Sequence, residues 1–438
     1  MKTRTTPLPE DPVAPVDLPT APPLGGFHRG LGGRRRGRRR ILGVRADANT
    51  YHVMSRTTGG EMLFGAVEKE AFRRIMRRLE RFAGVQILTY AVMTNHFHIL
   101  VRVPDRERFL RRFKGEGGEE KLLGHLGALY SKAYIQALRR ELNDLREQGM
   151  AAEAEALLDG YRSRFCDLPR FVKELKERFS RWFNKRHRRR GTLWMERYKS
   201  VIVGDGDALR TMALYIDLNA VRAGLARDPK AYRWCGYAEA AAGGRMARRG
   251  LCRAIERPPD SWDVKLTGAR GSPTSAELYR GWLLDGAGHP PEKRAGTGAS
   301  GSGDTAGKAM GKDSGKSTAA DEAAGPPATA ETATSGSPVS GFAASGKTEP
   351  PRKLSIAELL RCRVRYFSDG LAIGGRAFIE ELFRAKRECF GPKRRTAAKP
   401  ITELEASANP DAALHTLNPL RSRTIERADG PSPGDLTG

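Results

Sequence analysis

Between about residues 48 and 240 the apolar positions alternate between a two-residue and a three-to-four-residue rhythm. The run Tyr51-His52-Val53-Met54 predicts a short strand, and Phe72, Ile75, Met76, Leu79 and Phe82 then recur at the spacing of one helix face. Residues 86–93 and 96–103 are β-rich and joined at Thr94-Asn95, which predicts neighbouring antiparallel strands. Residues 107–160, rich in Glu, Arg, Ala and Leu, read as polar helices forming an inserted hairpin. Phe171, Leu175, Phe179, Trp182 and Phe183 mark a further amphipathic helix, whose other faces carry Lys173, Lys176, Arg178, Arg181, Lys185 and Arg186. Ser200-Val201-Ile202-Val203 predicts a strand, and Asp205 is placed to cap a helix running to about residue 223, before Gly224.

The βαββ order resembles a ferredoxin-like antiparallel sheet with packed helices, which puts the chain in the α+β class. Around this domain, at residues 41–245, the pattern loses its periodicity. Residues 1–40 begin Pro-rich and end in an arginine run, a composition expected to stay disordered as a basic arm. Residues 246–285 are expected as a peripheral extension, and 286–350, dominated by Gly, Ala, Ser, Thr and Pro, as a disordered linker. Ser355-Ile356-Ala357-Glu358 has the form of a capping box. With a second helix from Arg376 it predicts a small C-terminal helical module at 351–400, a candidate for DNA binding, followed by a disordered tail at 401–438. The glycines at 370, 374 and 375 make a longer break than a helix-turn-helix uses.

Charge narrows the partners. The chain has 77 Lys and Arg against 51 Asp and Glu, a formal net charge of +26, which favours a polyanion such as nucleic acid. No stretch approaches the roughly 20 apolar residues of a spanning helix. Pro and Asp stand near the N-terminus where an export signal would be apolar, so a cytoplasmic, nucleoid-associated location with no membrane partner is expected. The five cysteines are widely separated and form no CxxC pair, which points away from a disulfide framework or zinc knuckle.

Strand alternation sends His96, His98, Leu100 and Arg102 to one face and Phe97, Ile99, Val101 and Val103 to the other. Two imidazoles on one face can point at a common ion while leaving coordination positions open. Taken alone, an HxH strand is more often a plain sheet surface or an adventitious zinc site. On the later helix, Leu209, Ala213, Ile216 and Ala220 make a buried stripe, and Tyr215 and Asn219, one turn apart, share a neighbouring face.

Three ordered segments carry a resemblance. Tyr90-Ala91-Val92-Met93-Thr94-Asn95-His96-Phe97-His98-Ile99-Leu100-Val101 is followed by Gly191-Thr192-Leu193-Trp194 with Arg197-Tyr198-Lys199-Ser200. Then comes Tyr215-Ile216-Asp217-Leu218-Asn219-Ala220-Val221-Arg222-Ala223-Gly224-Leu225. Together they resemble the HUH-type single-tyrosine transposases, in their REP-associated tyrosine transposase branch, over about residues 48–240. The chain departs from the family at Ala220, where the usual residue is Pro, and in the length of the 107–160 insertion.

The resemblance implies a transposase or nickase that cuts and rejoins single-stranded, hairpin-forming DNA. Tyr215 would be the nucleophile that forms a 5′-phosphotyrosine, and His96, His98 and Asn219 would hold a divalent metal, Mg or Mn. It also implies a homodimer. Lys173, Lys176, Arg181, Arg186, Arg188, Arg189, Arg190, Arg197 and Lys199 would line the DNA path, with Trp194 as a stacking surface for unpaired bases. Tyr198 competes as nucleophile, while Tyr232 and Tyr237 lack a helical partner at four-residue spacing. A non-catalytic or domesticated nucleic-acid-binding module on the same sheet, and a relaxase-type nickase, are the alternatives.

Overall fold

The computed structural model describes residues 45–264, 272–285, 365–368, 370–390, 394–395, 397–401 and 414–417, all within one compact unit. The expectations for the N-terminal arm, the linker, the capping box at Ser355 and most of the tail lie outside the described residues.

Strand β1 (Ala48–Arg56) leads into helix α1 (Ala66–Ala83), and β2 (Gln86–Val92) and β3 (His96–Pro104) follow as an antiparallel pair. All five apolar residues predicted for the α1 stripe are buried. The helix ends at Gly84 with φ 67°, and a Cβ there would meet the Phe109 ring at 2.3 Å, so glycine is required on both counts. The predicted insertion consists of α2 (Arg106–Leu110), α3 (Gly118–Leu126), α4 (Lys132–Glu147) and α5 (Ala151–Arg162). Helix α6 (Leu168–Arg186) buries Phe171, Leu175, Phe179 and Phe183 as expected, and Arg178 as well, its guanidinium 3.8 Å from Glu174. Strand β4 (Lys199–Val203) returns to the sheet antiparallel to β1.

These four strands lie in the order β2-β3-β1-β4, the antiparallel arrangement that the ferredoxin-like reading predicts. The chain continues through α7 (Asp207–Asp217), α8 (Asn219–Arg222), α9 (Gly236–Ala241), α10 (Arg245–Ala254) and α11 (Ser275–Asp285). Asp205 does not cap the helix as expected. It pairs with Arg45, and Gly206 at φ 63° occupies the cap position.

The C-terminal part differs from the expected small helical module. Helix α12 (Arg365–Ser368) and α13 (Arg376–Ala385) are present, but β5 (Ala372–Gly374), β6 (Lys399–Pro400) and β7 (His415–Leu417) extend the sheet. Strand β5 runs parallel to β4, with Ile202 beside Ala372 and Val203 beside Ile373, so the fold is mixed α/β with a seven-stranded mixed sheet rather than purely antiparallel. Strands of two or three residues are too short to show a two-residue rhythm, and the sequence hides them for that reason. His415–Leu417, expected in the disordered tail, is one of them.

Two layers of side chains flank the sheet. Phe97, Ile99 and Val101 face α1 and α6, while Leu88, Leu100, Val201 and Val203 face α7, α9 and α10. Residues 246–285, expected to be peripheral, supply α10 and α11 to this second layer. Gly250 of α10 sits so near β2 that a Cβ would lie 2.4 Å from the Ile87 carbonyl oxygen.

The layers are joined around the β2 edge by a buried ionic cluster. Arg77 donates to Glu80 at 2.6 Å and to Glu239 of α9 at 2.7 Å, and Glu80 accepts from the Ile87 N–H at 2.7 Å. Glu239→Ala leaves Arg77 buried with one carboxylate fewer and is expected to cost about 3–5 kcal/mol in urea denaturation. A loss below about 1 kcal/mol would show that the cluster does not hold the layers together.

Candidate functional site

Register decides which side chains share the second face. Arg56 lies opposite His96, Met54 opposite His98 and His52 opposite Leu100, so β1 adds His52 to the face that carries the predicted pair. His98 and His52 are buried and His96 is half-buried. The His96 and His98 rings lie 5.0 Å apart edge to face, and His52 stacks on His98 at 5.1 Å.

Helix α7 covers this face with Leu209, Met212, Ala213 and Ile216, and Asp217 fixes its end. The Asp217 carboxylate accepts from Thr89 Oγ1 at 2.8 Å, Tyr279 Oη at 2.6 Å and the Tyr237 N–H at 3.1 Å, tying α7 to β2, α9 and α11. Tyr215 is thereby held edge-on to His98 at 5.8 Å and to His52 at 5.9 Å. The structure thus brings Tyr215 against His98, and through His98 near His96, from a helix and a strand more than a hundred residues apart.

Hydrogen bonding sets the protons on the rings. The Phe367 carbonyl can only accept, so His52 Nδ1, 2.8 Å away, is the donor. Neutral His52 then has a bare Nε2, which accepts from His98 Nδ1 at 2.9 Å and leaves His98 Nε2 without a proton. His96 Nδ1 lies 2.7 Å from Asn95 Oδ1, which likewise leaves its Nε2 bare. Both histidines of the strand therefore carry a lone pair on Nε2, the protonation state a cation ligand needs.

Burial pushes the His52 and His96 pKa down to about 4, with Arg56 and Arg222 adding to the effect at His96. Burial also takes His98 well below its usual value, helped by His52 and His96. Among the described residues, no group of three or more His, Cys, Asp or Glu side chains is arranged to hold a metal ion. A cation would therefore rest on the two Nε2 atoms and on oxygen from elsewhere. Asn219, the expected third ligand, is buried and donates its amide nitrogen to the carbonyls of Tyr215 at 2.9 Å and Ile216 at 3.3 Å.

Two further groups close the site. Phe367 stacks on Tyr215 at 4.6 Å, and both rings are fully buried. The Arg222 guanidinium lies 5.3 Å from the Tyr215 ring centre, and its Nε and Nη1 are buried with no acceptor among the described residues. Such donors have room for an acceptor, which a water or a phosphate oxygen can supply.

The basic residues predicted for a DNA path lie elsewhere. Lys173, Lys176, Arg181, Trp194 and Arg197 line an open groove of about 980 Å³ together with Arg170, Asp167 and Glu177. The groove belongs to the α6 layer, on the Phe97 side of the sheet. Lys173 and Arg181 face Glu177 at 3.7 and 3.9 Å, and burial lowers the Lys176 pKa to about 8. Arg186 approaches Glu68 at 3.7 Å, and Arg189 donates to the Thr192 carbonyl, while Arg188, Arg190 and Lys199 are exposed. Trp194 is only partly open to that groove: its Nε1 donates to Ser180 Oγ at 2.9 Å and its ring packs with Phe64, Phe97 and Phe179. Tyr232 donates to the Val92 carbonyl and packs against Trp234, Tyr237 accepts from Arg280 and packs against Tyr279, and Tyr198 packs against the α6 core, so each of the three is engaged with other partners than the histidine pair.

The residues missed from sequence are His52, Asp217 and Phe367. His52 had a usable signal, since Tyr51 and Val53 on one face of a strand send His52 to the other. Phe367 had none.

No family model matches the chain, and no curated protein matches it. A solved structure of a REP-associated tyrosine transposase bound to a REP hairpin is similar at a TM-score of 0.29 and 12% identity, over 54% of this chain and 96% of that one. At that TM-score the likeness adds no weight to the geometry.

The buried imidazoles give a pH dependence with a definite sign. Between pH 6.5 and about 4 the unfolded chain protonates His52 while the folded chain does not, so stability is full above pH 6.5 and falls as the pH drops. Asp217, whose carboxyl burial lifts to about 6, acts in the opposite sense, so the total curve mixes both. In the metal-free protein, the stability difference between wild type and His52→Phe should shift by on the order of a few kcal/mol from pH 7 to 4.5. A pH-independent difference, measured by urea midpoints, would mean that the His52 ring is solvated.

Proposed function

We propose that the chain cuts and rejoins single-stranded, hairpin-forming DNA, with Tyr215 as the nucleophile. The observation that supports this reading is the contact of Tyr215 with His98, whose ring in turn lies 5.0 Å from that of His96 on the same sheet face, both imidazoles with bare Nε2 atoms.

Tyr215 Oη would attack the scissile phosphorus. The new P–Oη bond forms as the bond to the 3′ oxygen breaks, and the phenolic proton ends on that oxygen as a free 3′ hydroxyl. The 5′-phosphotyrosine keeps the ester energy, so attack by a 3′ hydroxyl reseals the strand without ATP. His96 and His98, with the Asn219 oxygen, would hold Mg or Mn, which when bound supplies positive charge to the non-bridging oxygens. Arg222 offers the same phosphate its unpaired guanidinium donors. The groove along α6 would take flanking DNA, which then has to pass around the His96 end of the sheet.

A second reading rests on a specific observation. Tyr215 lies wholly beneath Phe367, an arrangement that suits a binding module which no longer cuts. Under the cutting reading, Phe367 has to move aside before a phosphate reaches Tyr215.

Incubation with end-labelled hairpin DNA and MnCl₂ should give a covalent protein–DNA adduct. Tyr215→Phe should abolish it, and the His96→Ala, His98→Ala double variant should reduce it by at least about 10²-fold. Phe367→Ala should raise the initial rate. Hairpin retention without adduct in wild type and in Phe367→Ala would favour the binding module, and adduct persisting in Tyr215→Phe would overturn the nucleophile.

A further inference from the structure

We propose that His52 is a positioning residue that fixes His98 in the form protonated on Nδ1, so that His98 presents a bare Nε2, and that the Phe367 carbonyl sets this state through His52. The proposal rests on the metal-holding role given to His96 and His98 above.

Neutral imidazole has one donor and one acceptor, and either ring nitrogen can carry the proton. Free histidine favours the proton on Nε2, which would block that atom as a ligand. At His98 the choice is made by a chain with a single polarity. A carbonyl has no proton to give, so the Phe367 oxygen forces His52 to donate from Nδ1 at 2.8 Å. That leaves His52 Nε2 able only to accept, and at 2.9 Å from His98 Nδ1 it holds the His98 proton there. Reversing the chain would face two lone pairs at the carbonyl end, inside a region where His52 is 1% and His98 2% exposed and water cannot repair the mismatch.

The geometry also fixes orientation. His52 and His98 stack at 5.1 Å with 14° between their planes, while Tyr215 bounds both rings edge-on, so His98 cannot rotate without losing both contacts. His96 obtains the same protonation from its own neighbour, Asn95, at 2.7 Å. The two histidines are thus set independently, one within its own turn and the other from a segment 315 residues from His52. A ring or carbonyl that orients a ligand in this way typically affects metal affinity about 10–100-fold.

The test uses the full chain and two substitutions. His52→Phe keeps the stacked ring and removes both hydrogen bonds. His52→Gln restores one donor and one acceptor on a side chain of similar reach. Nitrogen NMR of the metal-free wild type should show His98 protonated at Nδ1 and bare at Nε2, with the balance moving toward Nε2–H in His52→Phe. Titration with MnCl₂ by calorimetry should show affinity falling about 10–100-fold in His52→Phe and recovering at least partly in His52→Gln. A purely structural role would lower the melting temperature of both variants without that recovery. Wild-type His98 protonated at Nε2, or Mn²⁺ affinity in His52→Phe within about twofold of wild type, would overturn the proposal. If wild type binds no Mn²⁺ at all, the metal reading fails, and the NMR result alone decides the role of His52.

Discussion

Burial of two neutral imidazoles, His52 and His98, between the sheet and helix α7 is the constraint on which the candidate site depends. In water each ring nitrogen finds its own partner. In this layer every proton position is dictated by the group on the other side, and a carbonyl at one end propagates a single polarity through two rings. The β1–β3 register makes this possible by placing His52 one pair away from His98 on the same face. A one-residue slip of β3 would turn His96 and His98 to the opposite face and part them from His52.

The remaining architecture keeps α7 pressed onto that face. Asp217 draws bonds from β2, α9 and α11 to one carboxylate two residues beyond Tyr215. Gly250 lets α10 approach β2 at backbone distance, and the Arg77 cluster carries the connection around the strand edge to α1. The nucleophile candidate is thus fixed by packing, whereas the basic groove is an open feature of the opposite layer. Any nucleic acid engaging both would contact the two faces of the sheet around its end, where Arg56 pairs with His96.

The sequence showed what is periodic and hid what is short or distant. Phe72, Ile75, Met76 and Leu79 spell α1, and the alternation through His96 and His98 assigns their face correctly. The stripe Leu209, Ala213, Ile216 and Ala220 was legible and is buried, while Tyr215 was singled out only by the resemblance of its segment. Ala372–Gly374 and His415–Leu417 were not legible, since three residues cannot display a strand rhythm and their partners lie far away in the chain. Trp194 looked like a stacking surface because its basic neighbours suggest solvent, yet the ring fills a gap among phenylalanines. Asp217 carries no local signal, and only the tertiary fold brings Thr89 and Tyr279 to it. Asp205 stands one residue before the cap position, which Gly206 takes, and its carboxylate pairs with Arg45.

The parallel pairing of β5 with β4 has a consequence for the order in which the molecule is completed. Strand β4 ends at Val203 and its neighbour begins at Ala372, so during synthesis β4 waits as an open sheet edge while well over a hundred residues are added. Throughout that interval Tyr215 has no Phe367 against it, and His52 has no carbonyl to orient it. The nascent chain therefore passes through a form in which Tyr215 lacks its stacking ring and the proton order of His52 and His98 is unset, and Phe367 and strand β5, arriving together, cover the one, set the other and seal the β4 edge.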